Sequence, residues 1–197
     1  MDNGLITFII VTWNNEKQIE ACLESLTQYT TVSHEIIIVD NVSRDRTGDI
    51  ITRKYPLVQL IKSKENLGFA RGNNVALKKV RTPYVCFINP DVILTEDITL
   101  PAINILNQYE NVWLVTNKLC NSDGSNQLTT GRFTDLVSIL VSVCHLSLFI
   151  PNPLRKDLCP EYYKIKNGVF FPDWVIGEEM FMRTSDDKKI GGYSTHY

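Results

Sequence analysis

Four apolar runs, each ending in polar residues, set the strongest constraint on what this chain can become. "ITFIIVTW" (6–13), "EIIIVD" (35–40), "VQLIKS" (58–63) and "YVCFIN" (84–89) are rich in β-branched residues and are separated by helix-length segments. Runs of this kind suit strands covered on both faces, and strands joined through helices pair in parallel. The expected fold is α/β, with a mostly parallel central sheet flanked by helices. In such sheets ligands bind beyond the carboxyl ends of the strands, near a switch in strand order. Polar residues collect there: Thr12, Trp13 and Asn14 after the first run, Asp40 and Asn41 after the second, Asn89 and Asp91 after the fourth.

The intervening segments read as helices. Behind Asn14 and Asn15, which can cap a helix, Ile19, Cys22, Leu23 and Leu26 recur at helical spacing, and "NLGFARGNNVALKKV" reads as a loop entering a helix. The second half is less regular. "ITLPAINILNQY" reads as a helix with Pro101 tolerated in its first turn, "VWLVT" as a strand and "LCNSDGSNQLT" as a hairpin turning at Asp123 and Gly124. "NPLRKDLCPEYYKIKNG" reads as an irregular loop, "FFPDWVIGEEMFMR" as strand, and Asp186 and Asp187 beside Lys188 and Lys189 as an exposed turn. With 197 residues and no clear linker, one domain over 1–197 is the simplest organisation.

Charge narrows the partners. The net charge is -2 and no basic block tracks a phosphate backbone, so a small or carbohydrate substrate is expected and a nucleic acid is not. Five cysteines without C-x-x-C spacing fit a reducing, cytoplasmic setting, and "MDNGLITFII" lacks the basic start and cleavage site of a signal peptide. The uncharged stretch Leu136–Ile150 falls short of the roughly 20 residues that span a bilayer. It reads as a buried helix or, alternatively, as one lying on a membrane surface.

Three groups of residues carry candidate chemistry. Asp40 could accept hydrogen bonds from a nucleobase, or could cap, with Ser43 and Asp45, a helix beginning near Ser43. "NLGFARGNN" places Gly68 and Gly72 among Asn66, Asn73 and Asn74 ahead of a helix; this suits close backbone approach by a ligand but lacks dinucleotide-fold spacing. Asn89-Pro90-Asp91 is a stiff corner, because proline fixes its own φ and restricts the residue before it. A carboxylate held there suits Mg²⁺ or Mn²⁺, which take one or two carboxylates and complete their shells with water and substrate phosphates. His34, His145 and His196 show no ligand spacing, and no nucleophile elbow is present.

Taken together, "FIIVTWNN", "IIIVDNVSRD", "NLGFARGNN", "FINPDV", "NSDGSNQ" and "DWVIGEEMFMR" resemble, in order, the motifs of family 2 of the glycosyltransferases, inverting enzymes of GT-A fold, and among these a rhamnosyltransferase-like bacterial branch. The resemblance runs from about Ile6 to the last residue. It implies a Rossmann-like nucleotide-sugar-binding half (1–116) and an acceptor-side half (117–197). Thr12, Trp13 and Asn14 would line the nucleotide pocket, Asp40 would bind the base, and Asn66, Gly68 and Asn73 would lie near ribose and diphosphate. Asp91, with Asn89 in place of the first acid of the family's Asp-x-Asp signature, would bind Mg²⁺ or Mn²⁺. Asp173, Trp174 and Gly177 would face the transferred sugar or the acceptor.

The implied reaction is inverting transfer from a UDP- or dTDP-sugar to a saccharide or lipid-linked acceptor in surface polysaccharide synthesis, in the cytoplasm or at the inner face of the membrane. Such enzymes carry their base in an acidic segment after Gly-Gly-Phe-Asp-Glu. Here "IGGYSTHY" places Ser194 and Thr195 at the first acids, so the base is expected beyond Tyr197 and the chain is expected to be shortened at that end. Glu178 and Glu179 are the nearby acids that could substitute, or could simply be solvated. A nucleotide-sugar-binding module without catalysis is the alternative. Nucleotidyl transfer, which would favour a basic phosphate-gripping loop, has only Arg71 in "NLGFARGNN" to support it.

Overall fold

The computed structural model describes residues 5–121, 123–127, 129–131, 133, 143, 165–166 and 169–195. The expected apolar helix at 136–150, His145, His196, Cys144 and Cys159 lie outside these, as does most of the loop that follows. In chain order the elements are β1 (Ile6–Thr12), α1 (Ile19–Tyr29), β2 (His34–Asp40), α2 (Thr47–Lys54), β3 (Gln59–Lys62), α3 (Gly68–Leu77), β4 (Tyr84–Ile88), α4 (Thr99–Gln108) and β5 (Leu114–Val115). They continue with β6 (Thr130–Gly131), β7 (Ile165–Lys166), β8 (Val169–Phe170), β9 (Trp174–Val175), β10 (Glu179–Arg183) and α5 (Thr184–Ile190).

The chain forms two compact units, Met1–Asn117 with Gly177–Tyr197, and Lys118–Ile176. The segment from Gly177 onward packs within the first unit.

In the first unit a six-stranded sheet has the order β3-β2-β1-β4-β10-β5. β1 to β4 are parallel, while β10 runs antiparallel to both β4 and β5. Strand order turns at β1, which has β2 on one side and β4 on the other, so the switch point falls where Thr12 and Asn89 end their strands.

Alternate residues of β1 explain why the sheet is covered on both faces. Ile6, Phe8 and Ile10 pack with Ile19, Cys22, Leu23 and Leu26 of α1 and Ala102 and Leu106 of α4; Ile9 packs with Ala76 and Leu77 of α3 on the other side. Burial of each such side chain is worth about 1.5–3 kcal/mol. Arg183 closes the far edge by donating to the carbonyls of Leu106, Tyr109 and Val112 and to Asp186, where a cation complements the free carbonyls ending α4.

Three local expectations are corrected. α1 begins at Ile19, because Asn15 closes a turn through its backbone carbonyl while its side chain holds Thr12 and Trp13. "VWLVT" keeps strand geometry only at Leu114–Val115. Asp186 and Asp187 are not in an exposed turn; both are buried in α5, which ends at Gly191 in left-handed conformation.

Among the described residues, the second unit contains the short pairs β6 with β9 and β7 with β8, and a tight turn in which Asn121 N–H bonds Ser125 O and Asp123 caps Ser125. The hairpin at Asp123 and Gly124 thus forms where the sequence places it.

Candidate functional site at the strand ends

A cleft of about 390 Å³ opens beyond β1, β2 and β3, lined by Trp13, Asn14, Asn41, Val42, Arg44, Lys64, Glu65 and Asn66. Its walls are loops that bond one another. Asn14 N–H donates to Ser43 Oγ (3.0 Å) and Asn14 Oδ1 accepts from Arg44 N–H (2.8 Å). Asn14 (φ 55°) and Val42 (φ 64°) both sit in the left-handed region, which is costly for a β-branched valine and is the kind of strain that clusters at ligand sites. Trp13 is 57% exposed, so an indole face lies open at the cleft. Thr12, by contrast, is buried and donates to Asn15 Oδ1 (3.0 Å), which shapes the turn.

Asn41 is the residue that sequence reasoning did not assign. Its N–H donates to Thr12 O (2.8 Å), its Nδ2 to Gly68 O (3.2 Å), and its Oδ1 accepts Leu67 N–H (3.3 Å). It therefore ties the ends of β1 and β2 to the glycine segment. Arg44 and Lys64 were also missed; a cation in each of two consecutive strand-end loops was the available signal.

Within the glycine segment, Asn66 Oδ1 accepts Gly68 N–H (2.8 Å), and Gly68 opens α3 at φ 68°. Gly72 serves packing: a Cβ there would stand 2.9 Å from Val11 Cγ1, so glycine lets α3 lie against β1. Asn73 is buried and donates to Phe69 O within its own helix (3.1 Å), which takes it out of the cleft. Arg71 turns back onto Leu67 O.

Two carboxylates end neighbouring parts of the sheet in different states. Asp40 is 6% exposed; its Oδ1 accepts Ser43 N–H (2.9 Å), and Oδ2 lies 3.1 Å from where a Gly48 Cβ would stand. It does not line the cleft, and the helix it was expected to cap begins at Thr47, where Asp45 accepts the Thr47 N–H (3.0 Å). Asp91 is exposed and has no hydrogen-bond partner among the described residues. Its corner is braced: Val92 N–H donates to Asn89 O (3.2 Å), as does Cys22 Sγ (3.7 Å). Burial pushes the Cys22 thiol up to about 12, with the Asp91 charge adding to it, so it remains a thiol donor.

The two candidate acids at the start of β10 are each engaged by an asparagine. Glu178 is half-buried and its Oε2 accepts Asn89 Nδ2 (2.7 Å). Glu179 is fully buried, with Oε1 on Asn117 Nδ2 (2.8 Å) and Oε2 without a partner among the described residues; burial pushes it up to about 7, against the Asn117 hydrogen bonds. Asp173 and Trp174 lie in the second unit, where Asp173 accepts Phe133 N–H (3.0 Å) and the Trp174 ring occupies the space a Cβ on Gly131 would need. Gly177 begins the return to the first unit.

The residues at the corner fit a divalent cation. No group of three His, Cys, Asp or Glu side chains among the described residues could hold a metal alone. One unpartnered carboxylate is the donor set expected for Mg²⁺ or Mn²⁺, whose shell is completed by water and phosphate oxygens. A larger groove of about 940 Å³, lined by Glu24, His34, Tyr55 and Leu57 among others, lies at the opposite ends of β2 and β3. It contains none of the expected site residues.

The sequence profile of Glycosyl transferase family 2 matches residues 7–164. The chain belongs to glycosyltransferase family 2. An uncharacterized glycosyltransferase of Haemophilus influenzae is 27% identical over 194 residues, covering 97% of this chain and 57% of that protein. A teichoic acid poly(glycerol phosphate) polymerase of Staphylococcus epidermidis is 34% identical over 162 residues, covering 77% of this chain and 21% of the polymerase. Among solved structures, a mannosyltransferase of Pyrobaculum calidifontis in complex with GDP-Man and Mn²⁺ superposes with TM-score 0.62 at 20% identity, over 100% of this chain and 49% of the other. The fold is thus GT-A, and this family member spans about half or less of the length of these relatives. No described helix is long and apolar enough to cross a membrane.

Proposed function

We propose that the chain binds a nucleotide-diphosphate sugar with a divalent cation and transfers the sugar, with inversion, to a saccharide or lipid-linked acceptor of cell-surface polymer synthesis. The observation that carries this is the unpartnered Asp91 carboxylate on a braced corner at the switch point, on the same sheet edge as the Trp13–Asn66 cleft. The fold class and the cell-wall polymerase among the relatives support the same reading. In this proposal the first unit is the donor half and 118–176, with Asp173 and Trp174, serves the sugar or acceptor.

Trp13 offers a face on which a base stacks, while Arg44 and Lys64 bring positive charge to the cleft. Asp40 supports the base pocket from beneath by fixing the turn at Ser43. Asp91 and Asn89 would hold the cation, which when bound stabilises the charge growing on the departing diphosphate. Donor is expected to be a UDP-, dTDP- or GDP-sugar, rhamnosyl or hexosyl.

A second reading is favoured by one observation. Glu179 is sealed in the core and Glu178 is committed to Asn89, so neither is a free base for an acceptor hydroxyl. The alternative is a donor-binding module without turnover. A panel of nucleotide sugars offered with Mn²⁺ and candidate acceptors separates the two: release of nucleoside diphosphate with a new glycoside identifies transfer, and tight binding without release identifies the module. Failure of every donor to bind overturns both. Trp13→Ala is expected to weaken nucleotide affinity by about 1–3 kcal/mol, the usual worth of base–aromatic stacking, as read by calorimetric titration.

A further inference from the structure

Asn89, two residues before the exposed Asp91, has its side chain fixed by one neighbour. In the antiparallel ladder Glu179 faces Ile88, and the next step along sets Glu178 against Asn89. Asn89 N–H donates to Glu178 O (2.9 Å) and Asn89 Nδ2 donates to Glu178 Oε2 (2.7 Å). An ionised carboxylate can only accept, whereas an amide has one donating end and one accepting end. Glu178 thus decides which end of the amide faces it. Oδ1 is left without a partner among the described residues, as the available oxygen of a side chain two residues before Asp91.

An aspartate at 89 would instead set two carboxylates at hydrogen-bond distance, an arrangement in which both cannot stay ionised at ordinary cost. Asn89 and Glu178 therefore read as a matched pair, a donating amide end against an accepting carboxylate, with a neutral oxygen left over two residues before Asp91. Amide oxygens are among the ligands that hard divalent cations accept.

We propose that Glu178 is a positioning residue for the cation site, locking the Asn89 amide so that Oδ1 joins Asp91 as a ligand of the same divalent cation. This rests on the donor-and-cation reading above and adds to it the reason for the amide. Partners that orient a metal ligand typically contribute 10–100-fold in metal affinity.

The test is Mn²⁺ binding by electron paramagnetic resonance, with UDP, GDP or dTDP, whichever the wild type binds best, on the 197-residue chain. Glu178→Leu, which removes the acceptor, is expected to weaken Mn²⁺ about 10–100-fold while leaving metal-free nucleotide affinity unchanged. The double variant Asn89→Asp with Glu178→Gln reverses the direction of the hydrogen bond at constant net charge and is expected to bind Mn²⁺ at least as tightly as the wild type. It also serves where the leucine variant fails to fold. Wild-type Mn²⁺ affinity in Glu178→Leu, or a folded double variant that has lost Mn²⁺, overturns the proposal. Asp91→Asn separates the levels: if it alone retains Mn²⁺ the underlying reading fails, and if it loses Mn²⁺ while Glu178→Leu does not, only the role of Glu178 fails.

Discussion

Asp40 ends β2 and Asp91 follows β4 on the same edge of one mostly parallel sheet, yet Asp40 is buried and Asp91 exposed. β2 runs into a turn that folds back over its own carboxylate, with Ser43 N–H donating to Asp40 and Gly48 packed against it. β4 runs into Asn-Pro-Asp, where proline supplies no N–H and holds the chain extended before it, so Asp91 emerges uncapped. Position at a strand end places a carboxylate near a ligand site; the backbone donors that follow it decide whether it works for the fold or for the ligand.

The largest effect is expected at a third carboxylate, Glu179, which neighbours the β4 end but is fully buried. Burial raises it to about 7, so it is neutral in the folded chain where the unfolded chain is ionised. The unfolded state then holds fewer protons between about pH 4.5 and 7, and wild-type stability falls as pH rises through that window. Glu179→Gln removes this dependence. The variant should match the wild type near pH 4 and exceed it by up to about 3 kcal/mol above pH 7, read from urea unfolding. Asp187, pushed up to about 6 chiefly by burial, should leave a weaker trend of the same sign in both proteins.

Next in size is the pair itself. Asp40→Ala leaves the Ser43 N–H and the buried space unsatisfied and should cost about 1–3 kcal/mol of stability. Asp91→Ala should stay within about 0.5 kcal/mol of wild type, as exposed substitutions do. Equal losses in the two would erase the distinction drawn between them. A modest effect is expected at Val42: glycine relieves its left-handed backbone but adds chain entropy on unfolding, so Val42→Gly should change stability by no more than about 1 kcal/mol, in the stabilising direction.

Much of the first unit was legible because β1, β2 and β4 are buried on both faces and write themselves as unbroken apolar runs. Trp13 and Asn14 follow β1 as the polar residues after the first run indicate, and with Asn66 of the glycine segment they line one cleft. Contacts made across sequence could not be read. Asp186 looks solvated beside two lysines, but Arg183 and Lys189 pair with it and hold its carboxyl below the usual range, Arg183 foremost. Asn73 bonds within its own helix, and Asn41 joins three segments, contacts that composition and spacing do not reveal. The two-residue strands of the second unit are too short for periodicity to register.

The central claim is that Asp91 couples a divalent cation to the nucleotide diphosphate. Calorimetric titration of the best-bound nucleotide sugar, with and without Mn²⁺, into wild type and Asp91→Ala tests it most directly. The account predicts that Mn²⁺ tightens binding to the wild type and does nothing for the variant, with both unfolding at the same temperature. An equal gain from Mn²⁺ in the two proteins would contradict it.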